Sequence, residues 1–232
     1  MLAERAGIPK GVINIVTGLP AAIGETLTGS TRVRKLSFTG STRVGALLMR
    51  QSADTLKKLS LELGGNAPFI VFDDADLDAA VAGTVLCKYR NSGQTCISAN
   101  RILVQDRIYD DYLERLVEAV TKLKVGAGTE PGVNVGPLID DTGFAKVKRH
   151  VDDAREHGAE LLVGGRPHEL GHTFFEPTVL VNVRPEMAMS REETFGPVAG
   201  LARFSSEKEA VRAANDTPYG LAAYFFSRDV GR

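Results

Sequence analysis

The sequence has 232 residues, of which 43% are hydrophobic and 25% are charged, a composition typical of a folded globular protein. Lysine and arginine together number 28 against 29 acidic residues, so the chain lacks the basic excess that nucleic-acid or anionic-membrane binding requires. It has no apolar run as long as a membrane span, no signal-peptide pattern and only two cysteines. We therefore expect a cytoplasmic protein with neither a nucleic-acid nor a membrane partner.

The first third of the chain alternates predicted strands, glycine turns and helices. Residues 12–16 (VINIV) are rich in β-branched side chains and predict a strand, followed by a turn at Gly18 and a helix over residues 21–27. Residues 35–38 predict a second strand, and Gly40 then leads into a helix over residues 44–51. Glycine where a strand meets a helix N-terminus lets a phosphate approach the backbone, although such glycines are more often simple turn residues. The alternation predicts an α/β fold with a parallel sheet.

Two polar segments in the middle of the chain could carry chemistry. Glu62 ends a predicted strand and is followed by two glycines, and Cys96 ends a polar loop after an apolar helix over residues 77–89. Taken singly, a glutamate is usually a solvated surface group and a cysteine a small packing residue, as we expect for Cys87. Together, a thiol can attack an electrophilic carbon and a carboxylate can activate water to release the product. The pair therefore suggests covalent catalysis.

The remaining residues predict scaffold. Residues 109–123 and 144–157 show helical spacing, whereas residues 101–104, 160–163 and 221–226 predict strands. Ser206 and Glu209 form a potential capping box for a further helix. Because the histidines lack cysteine or clustered carboxylate neighbours, we expect no metal site and place all four at the surface. These are His150, His157, His168 and His172.

Four motifs occur in order along the chain: residues 38–45 (FTGSTRVG), 62–68 (ELGGNAP), 91–96 (NSGQTC) and 193–197 (ETFGP). In order and spacing they resemble the signatures of the NAD(P)-dependent aldehyde dehydrogenase superfamily. The resemblance implies a parallel-sheet α/β fold with part of a Rossmann-type cofactor domain and most of a catalytic domain. Residues 1–63 would be the C-terminal part of the NAD(P)-binding domain, and residues 64–232 an incomplete catalytic domain. We accordingly expect an internal piece of a longer enzyme that is homo-oligomeric at full length.

The resemblance also implies a catalytic pair. Cys96 would attack the carbon of a small aldehyde substrate, and hydride transfer would leave a thioester. Glu62 would be the general base that activates water to hydrolyse this thioester to a carboxylic acid. The backbone N–H of Cys96 would supply part of an oxyanion hole.

The implied cofactor is NAD or NADP, and the sequence does not decide between them. Gly40 and Ser41 would approach the pyrophosphate, Leu63 would meet the nicotinamide through its backbone, and Glu193 would hold the nicotinamide ribose. The cofactor-binding residues implied as a set are Gly18, Gly40, Ser41, Gly45, Leu63, Glu193 and Phe195.

Arg90 is the residue that indicates the class of substrate. It resembles the arginine with which succinate-semialdehyde dehydrogenases hold the distal carboxylate, and a guanidinium suits a carboxylate by its fork geometry. The alternative is an exposed arginine favoured by a helix dipole. Glutarate semialdehyde also carries a distal carboxylate and is an alternative substrate, and a neutral aldehyde is another. A further alternative is that the isolated chain is a non-catalytic folded fragment.

Overall fold

The computed structural model describes residues 2–232, which form two compact units. One unit ends at Leu63 and the other comprises Gly64–Arg232. Both are built from helices and predominantly parallel strands, which confirms the fold class expected from the sequence. Among the described residues, no helix combines the length and apolar character needed to cross a bilayer.

The first unit contains a two-stranded parallel sheet and three helices. Strands β1 and β2 pair in register, so that Phe38 lies opposite Leu61, and helix α3 connects them. A strand, helix and parallel strand in succession form a βαβ unit, as the alternation predicted. In chain order, the elements are α1 (Leu2–Arg5), α2 (Pro20–Gly29), β1 (Lys35–Thr39), α3 (Thr42–Ser52) and β2 (Lys58–Glu62).

The predicted strand over residues 12–16 is wrong. This segment is irregular, and Val12, Ile13, Ile15 and Val16 are between 58% and 88% exposed. A strand is stable only when its backbone groups pair with a neighbour. The sheet of the first unit has two strands, β1 and β2, and residues 12–16 pair with neither. The β-branched composition therefore does not produce a strand here.

The second unit is organised by a six-stranded sheet in the order β5-β6-β7-β4-β3-β8. Every neighbouring pair is parallel except β5 and β6. Parallel neighbours bring their carboxyl ends to one edge of the sheet, where polar loops collect. The strands are β3 (Ala67–Val71), β4 (Ala99–Gln105), β5 (Glu160–Val163), β6 (Thr178–Val181), β7 (Val198–Phe204) and β8 (Tyr224–Phe226).

Helices cover this sheet and complete its core. The carboxylate of Asp76 accepts a hydrogen bond from the backbone N–H of Ala79 and caps α4, and Tyr112 and Leu116 of α5 are completely buried against the sheet. The amphipathic spacing over residues 109–123 therefore marks a core helix, as predicted. The helices are α4 (Leu77–Tyr89), α5 (Tyr109–Thr121), α6 (Asp141–Glu156), α7 (Ala188–Arg191) and α8 (Glu207–Asn215).

The predicted capping box at α8 is half correct. The Ser206 hydroxyl accepts a hydrogen bond from the Glu209 N–H, as such a box requires, at 3.4 Å. The Glu209 carboxylate, however, accepts from the N–H and hydroxyl of Ser205 and not from the N–H of Ser206. The return bond is thus shifted by one residue, because Ser205 offers two donors to the same carboxylate oxygen.

Candidate active site

A left-handed turn between α4 and β4 presents Cys96. Asn91, Ser92 and Gly93 have φ values of 53°, 58° and 71°, a conformation that costs roughly 1–2 kcal/mol for a residue with a side chain. A run of three such residues ends α4 abruptly. Strain of this kind persists only where the surrounding contacts enforce it.

Gly93 cannot carry a side chain in this turn. A Cβ built there would lie 2.1 Å from the carbonyl oxygen of Gly196 and 2.9 Å from that of Lys88. Both neighbours are backbone atoms, so neither can rotate away. The backbone of the ETFGP motif is thereby pressed against the turn before Cys96, and two of the four sequence motifs meet in space.

A second segment holds the turn from the other side. The Ser92 hydroxyl donates to the carbonyl of Gly136 at 2.9 Å, and the Gln94 amide donates to the carbonyl of Pro137 at 3.2 Å. The side-chain oxygen of Gln94 accepts from the backbone N–H of Ile139 at 2.9 Å. The Ser92 and Gln94 side chains of the NSGQTC motif therefore fix its backbone.

Cys96 is half-buried and its backbone is closely packed. A Cβ at Gly65 would lie 2.3 Å from the Cys96 carbonyl oxygen, so the second glycine of the ELGGNAP motif makes room for this loop. Among residues 2–232, no acceptor takes a hydrogen bond from the Cys96 backbone N–H. The thiol thus has next to it a free donor of the kind that an oxyanion hole needs.

Glu193 lies against the double glycine. Its carboxylate accepts from the Gly65 backbone N–H at 3.1 Å, and a Cβ at Gly64 would stand 2.9 Å from the other carboxylate oxygen. Burial raises the pKa of Glu193, whereas the Gly65 bond and the charges of Lys146 and Lys88 lower it. Gly65 is the only described residue that donates a hydrogen bond to this carboxylate, so one oxygen remains able to accept from a ligand hydroxyl.

Phe195 follows in a left-handed conformation, with a φ of 54°. The Lys146 ammonium stands 5.8 Å from the centre of its ring, within the range of a cation–π contact. The same ammonium attracts Glu193. Helix α6, which carries Lys146, therefore supports both predicted residues of this motif.

A buried amide network, which sequence reasoning missed, ties these loops together. The Asn100 amide donates to Asn66 Oδ1 at 2.7 Å and to the Glu192 carbonyl at 2.9 Å, and its oxygen accepts from the Thr194 N–H at 3.0 Å. Arg101 donates from Nε and Nη2 to the Asn66 carbonyl. Buried amides and guanidinium groups of this kind need all their partners. No local pattern marks Asn100 or Arg101, because their partners are distant in the sequence.

His150 contradicts the prediction that all histidines lie at the surface. It is completely buried, with Nδ1 3.2 Å from the Thr194 hydroxyl and Nε2 3.2 Å from a carboxylate oxygen of Glu192. Burial lowers the pKa of His150. The polar residues around it on α6 suggested a solvated face, but the partners that satisfy the ring come from residues 192–194.

Lys88 is buried beside this site without a hydrogen-bond partner. Its side chain is 0% exposed, and its ammonium makes no hydrogen bond within the described part of the chain. Burial lowers the pKa of Lys88 to about 8, an effect that the neighbouring Cys87 and Glu193 partly offset. Sequence reasoning treated residues 77–89 as an apolar helix and missed this charge.

The βα turn of the first unit brings together four of the predicted cofactor residues: Gly40, Ser41, Gly45 and Leu63. The Gly40 N–H donates to the Glu62 carbonyl at 3.0 Å, and the Ser41 hydroxyl accepts from the Val44 N–H and caps α3. A Cβ at Gly45 would lie 2.5 Å from Leu63 Cδ2, so Leu63 packs on α3 at a glycine. The turn leaves free N–H groups at a helix N-terminus, the arrangement that favours phosphate.

Two further predicted residues, Gly18 and Arg90, stand at helix ends. Gly18 precedes α2 with a φ of 157°, and Pro20 begins that helix. Arg90 caps the C-terminus of α4 and is exposed. Within residues 2–232 its guanidinium forms neither an ion pair nor a hydrogen bond, so it is available to an anionic ligand. Glu62, at the end of β2, is also exposed.

Comparison with known proteins decides the family. The model of the aldehyde dehydrogenase family matches residues 1–232. The chain belongs to the aldehyde dehydrogenase family. A 3-sulfolactaldehyde dehydrogenase of Pseudomonas putida is 60% identical over 231 residues, which are 100% of this chain and 48% of that relative. A succinate-semialdehyde dehydrogenase (NADP(+)) of Escherichia coli is 57% identical with the same coverage.

A solved aldehyde dehydrogenase structure shows the same fold. The succinate-semialdehyde dehydrogenase of Burkholderia pseudomallei superposes with a TM-score of 0.98 at 62% identity, covering 99% of this chain and 48% of that one. Other relatives are named glutarate-semialdehyde dehydrogenase and NAD-dependent aldehyde dehydrogenase. The chain spans about half the length of the curated relatives it matches. The names of these relatives specify NADP(+) in one case and NAD in another, the two cofactors expected from the sequence.

Proposed function

We propose that the protein oxidises succinate semialdehyde to the dicarboxylic acid with NAD or NADP as the hydride acceptor. The observation that carries the proposal is the strained turn before Cys96, which three independent segments hold in place. An aldehyde dehydrogenase chain that served only as scaffold would have no need to enforce such a turn. The half-buried thiol and the free N–H beside it suit attack on a carbonyl carbon.

The reaction follows from these groups. The Cys96 thiolate adds to the aldehyde carbon, and the oxyanion that forms accepts a hydrogen bond from the Cys96 N–H. One well-aimed donor of this kind is typically worth about 2.7–4 kcal/mol of barrier. Loss of hydride from the thiohemiacetal carbon gives a thioester, and NAD or NADP would supply the hydride acceptor that this oxidation needs. Glu62 removes a proton from water, the resulting hydroxide attacks the thioester, and the acid departs as the thiol re-forms.

Residues of each unit suit a dinucleotide. Glu193 offers a carboxylate oxygen to ribose hydroxyls, and its approach to Gly64 explains why the double glycine has no side chain. Phe195, beside it, would flank the ribose. Ser41 offers its backbone N–H to the pyrophosphate at the start of α3. The N–H of Gly40 is already bonded to the Glu62 carbonyl, so Gly40 contributes by letting the pyrophosphate approach the backbone. In this proposal Gly18, Gly45 and Leu63 complete the cofactor site.

Arg90 supports an anionic substrate because its guanidinium has no partner of its own. Arg90→Leu is expected to raise the KM for succinate semialdehyde at least about tenfold, since a hydrogen bond to a charged group is worth roughly 1.5–3 kcal/mol. The KM for butanal, which lacks the carboxylate, should not change. Arg107→Leu is the matched control, because the Arg107 side chain is 84% exposed. An unchanged KM for succinate semialdehyde in Arg90→Leu would show that Arg90 does not bind the distal carboxylate of the substrate.

A panel of aldehydes separates the remaining substrates. Glutarate semialdehyde and 3-sulfolactaldehyde also pair an aldehyde with an anionic group, and relatives named for them are 57% and 60% identical to this chain. Ranking kcat/KM for the three compounds and butanal identifies the substrate. A higher value for butanal than for all three anionic aldehydes would contradict the role of Arg90. Homo-oligomeric assembly and a cytoplasmic location remain part of the proposal, to be measured by light scattering and fractionation.

A further inference from the structure

The peptide between Ile97 and Ser98, directly after the residue that follows Cys96, is held at its carbonyl by two donors. The carbonyl oxygen of Ile97 accepts a hydrogen bond from the Tyr224 hydroxyl at 2.8 Å and a weaker one from Cys87 Sγ at 3.6 Å. Tyr224 belongs to β8 and Cys87 to α4. Two elements distant in the sequence therefore converge on one carbonyl next to the nucleophile.

The Tyr224 ring is itself anchored in the sheet. Strand β8 pairs in parallel with β3, and Tyr224 lies opposite Phe69. The two ring centroids are 5.9 Å apart, and Phe69 also stacks on Phe226 at 5.1 Å. Burial raises the pKa of Tyr224 to about 12, so the phenol keeps its proton at neutral pH. It remains a donor to the Ile97 carbonyl under working conditions.

The other side of Cys96 is fixed as well. Its carbonyl packs against Gly65, where even a Cβ would not fit, and the Ser98 N–H donates to the Thr95 carbonyl at 3.0 Å. The Ser98 N–H belongs to the peptide between Ile97 and Ser98. That peptide is therefore held at its N–H by Thr95 and at its carbonyl by Tyr224 and Cys87.

We infer that Tyr224 is a positioning residue for Cys96: its hydroxyl, assisted by the Cys87 thiol, holds the Ile97 carbonyl and so aims the thiol and backbone N–H of Cys96. The inference rests on the proposed function of Cys96 as nucleophile. Tyr224 does not touch the reacting atoms and acts through the backbone. Without its hydroxyl, the nucleophile is still present but is held in the attacking geometry for less of the time.

The variant Tyr224→Phe tests this inference because it removes the hydroxyl and keeps the ring on Phe69. We expect kcat to fall about tenfold with the KM values for aldehyde and cofactor unchanged, since small misplacements of a reacting group cost up to about 10²-fold in rate. Tyr112→Phe is the structural control, because it removes a buried hydroxyl that pairs with Thr84 at 2.5 Å. It should lower stability and leave kcat unchanged at a temperature where the variant is folded.

Hydrogen exchange provides a readout that does not require activity. In Tyr224→Phe, the amides of residues 96–98 should exchange faster than in the unaltered protein, while the amides of β3 and β4 keep their rates. Unchanged exchange at residues 96–98, or a kcat within twofold of the unaltered protein, would overturn the role of Tyr224. A kcat that falls equally in Tyr112→Phe would also overturn it. Failure of the unaltered protein to oxidise any aldehyde would refute the proposed function, and hydrogen exchange would then decide the inference alone.

Discussion

Replacing Lys88 by methionine should stabilise the protein at neutral pH. Methionine has a similar unbranched shape, so the change removes the buried ammonium and leaves the space filled. Burial lowers the pKa of Lys88 from 10.5 to about 8. At roughly 1.4 kcal/mol per pKa unit, keeping this group charged in the folded protein costs on the order of 3 kcal/mol below pH 8.

The sign of the pH dependence is fixed by the direction of the pKa change. Between about pH 8 and the ordinary value of 10.5, the unfolded chain holds the proton and the folded protein does not, so the free energy of unfolding rises with pH. Lys88→Met has no such group. Its advantage should therefore be full at pH 7 and shrink as the pH approaches 10.5.

Urea denaturation followed by circular dichroism measures this advantage at pH 7 and at pH 9.5. Lys122→Met is the matched control, since Lys122 is 69% exposed and pairs with Glu118 across one helical turn. A surface pair of this kind is worth roughly 0–1 kcal/mol, so the control should change little at either pH. A Lys88→Met protein that is less stable at pH 7, or whose advantage does not depend on pH, would refute the reasoning.

Three further predictions concern the surroundings of the site. Gly93→Ala should lower the free energy of unfolding by at least about 1–2 kcal/mol and reduce kcat, because its Cβ would meet the Gly196 carbonyl; urea denaturation and initial rates check this, and a neutral effect would contradict it. Glu193→Gln should raise the cofactor KM about tenfold with the aldehyde KM unchanged, and an equal rise in both would count against a ribose contact. For His150, whose pKa is lowered by burial, the free energy of unfolding should fall as the pH drops below its ordinary value of 6.5; denaturation of His150→Gln at pH 7 and pH 5 should show a weaker fall, and an equal fall would contradict the assignment.

Elements with strong local signals were predictable. The helix over residues 77–89 follows from its apolar run, and its bounds in the structure are Leu77–Tyr89. The strand ending at Glu62 follows from period-two alternation. Both elements satisfy their own backbone and side-chain preferences, so distant contacts did not need to be known.

The predictions that failed depend on partners far away in the sequence. Residues 12–16 have the composition of a strand but pair with no described strand, whereas the sequence analysis overlooked β6 and β7, which lie in the middle of the sheet. The burial of His150 depends on Thr194 and Glu192, and nothing within α6 indicates that these would meet it. A local pattern predicts which residues prefer a strand or a surface, but not which neighbours are present.

In the candidate site, too, the residues of local motifs were predicted, whereas the residues that depend on distant partners were not. The four motifs allowed Cys96, Glu62 and Glu193 to be predicted as site residues. In the structure, Cys96 and Glu193 both contact Gly65. The residues that hold the loops in place, Asn100 and Tyr224, were not foreseen. Their role comes from hydrogen bonds to backbone atoms of distant segments, and such bonds leave no periodic signal.

The most direct test of the account is NAD(P)H production by the purified protein with succinate semialdehyde, measured beside Cys96→Ala. The account predicts turnover in the unaltered protein and none in Cys96→Ala, with a thioester adduct at Cys96 detectable by mass spectrometry after rapid acid quenching. Circular dichroism of both proteins establishes that they are equally folded. Equal turnover in a folded Cys96→Ala protein would contradict covalent catalysis by this cysteine.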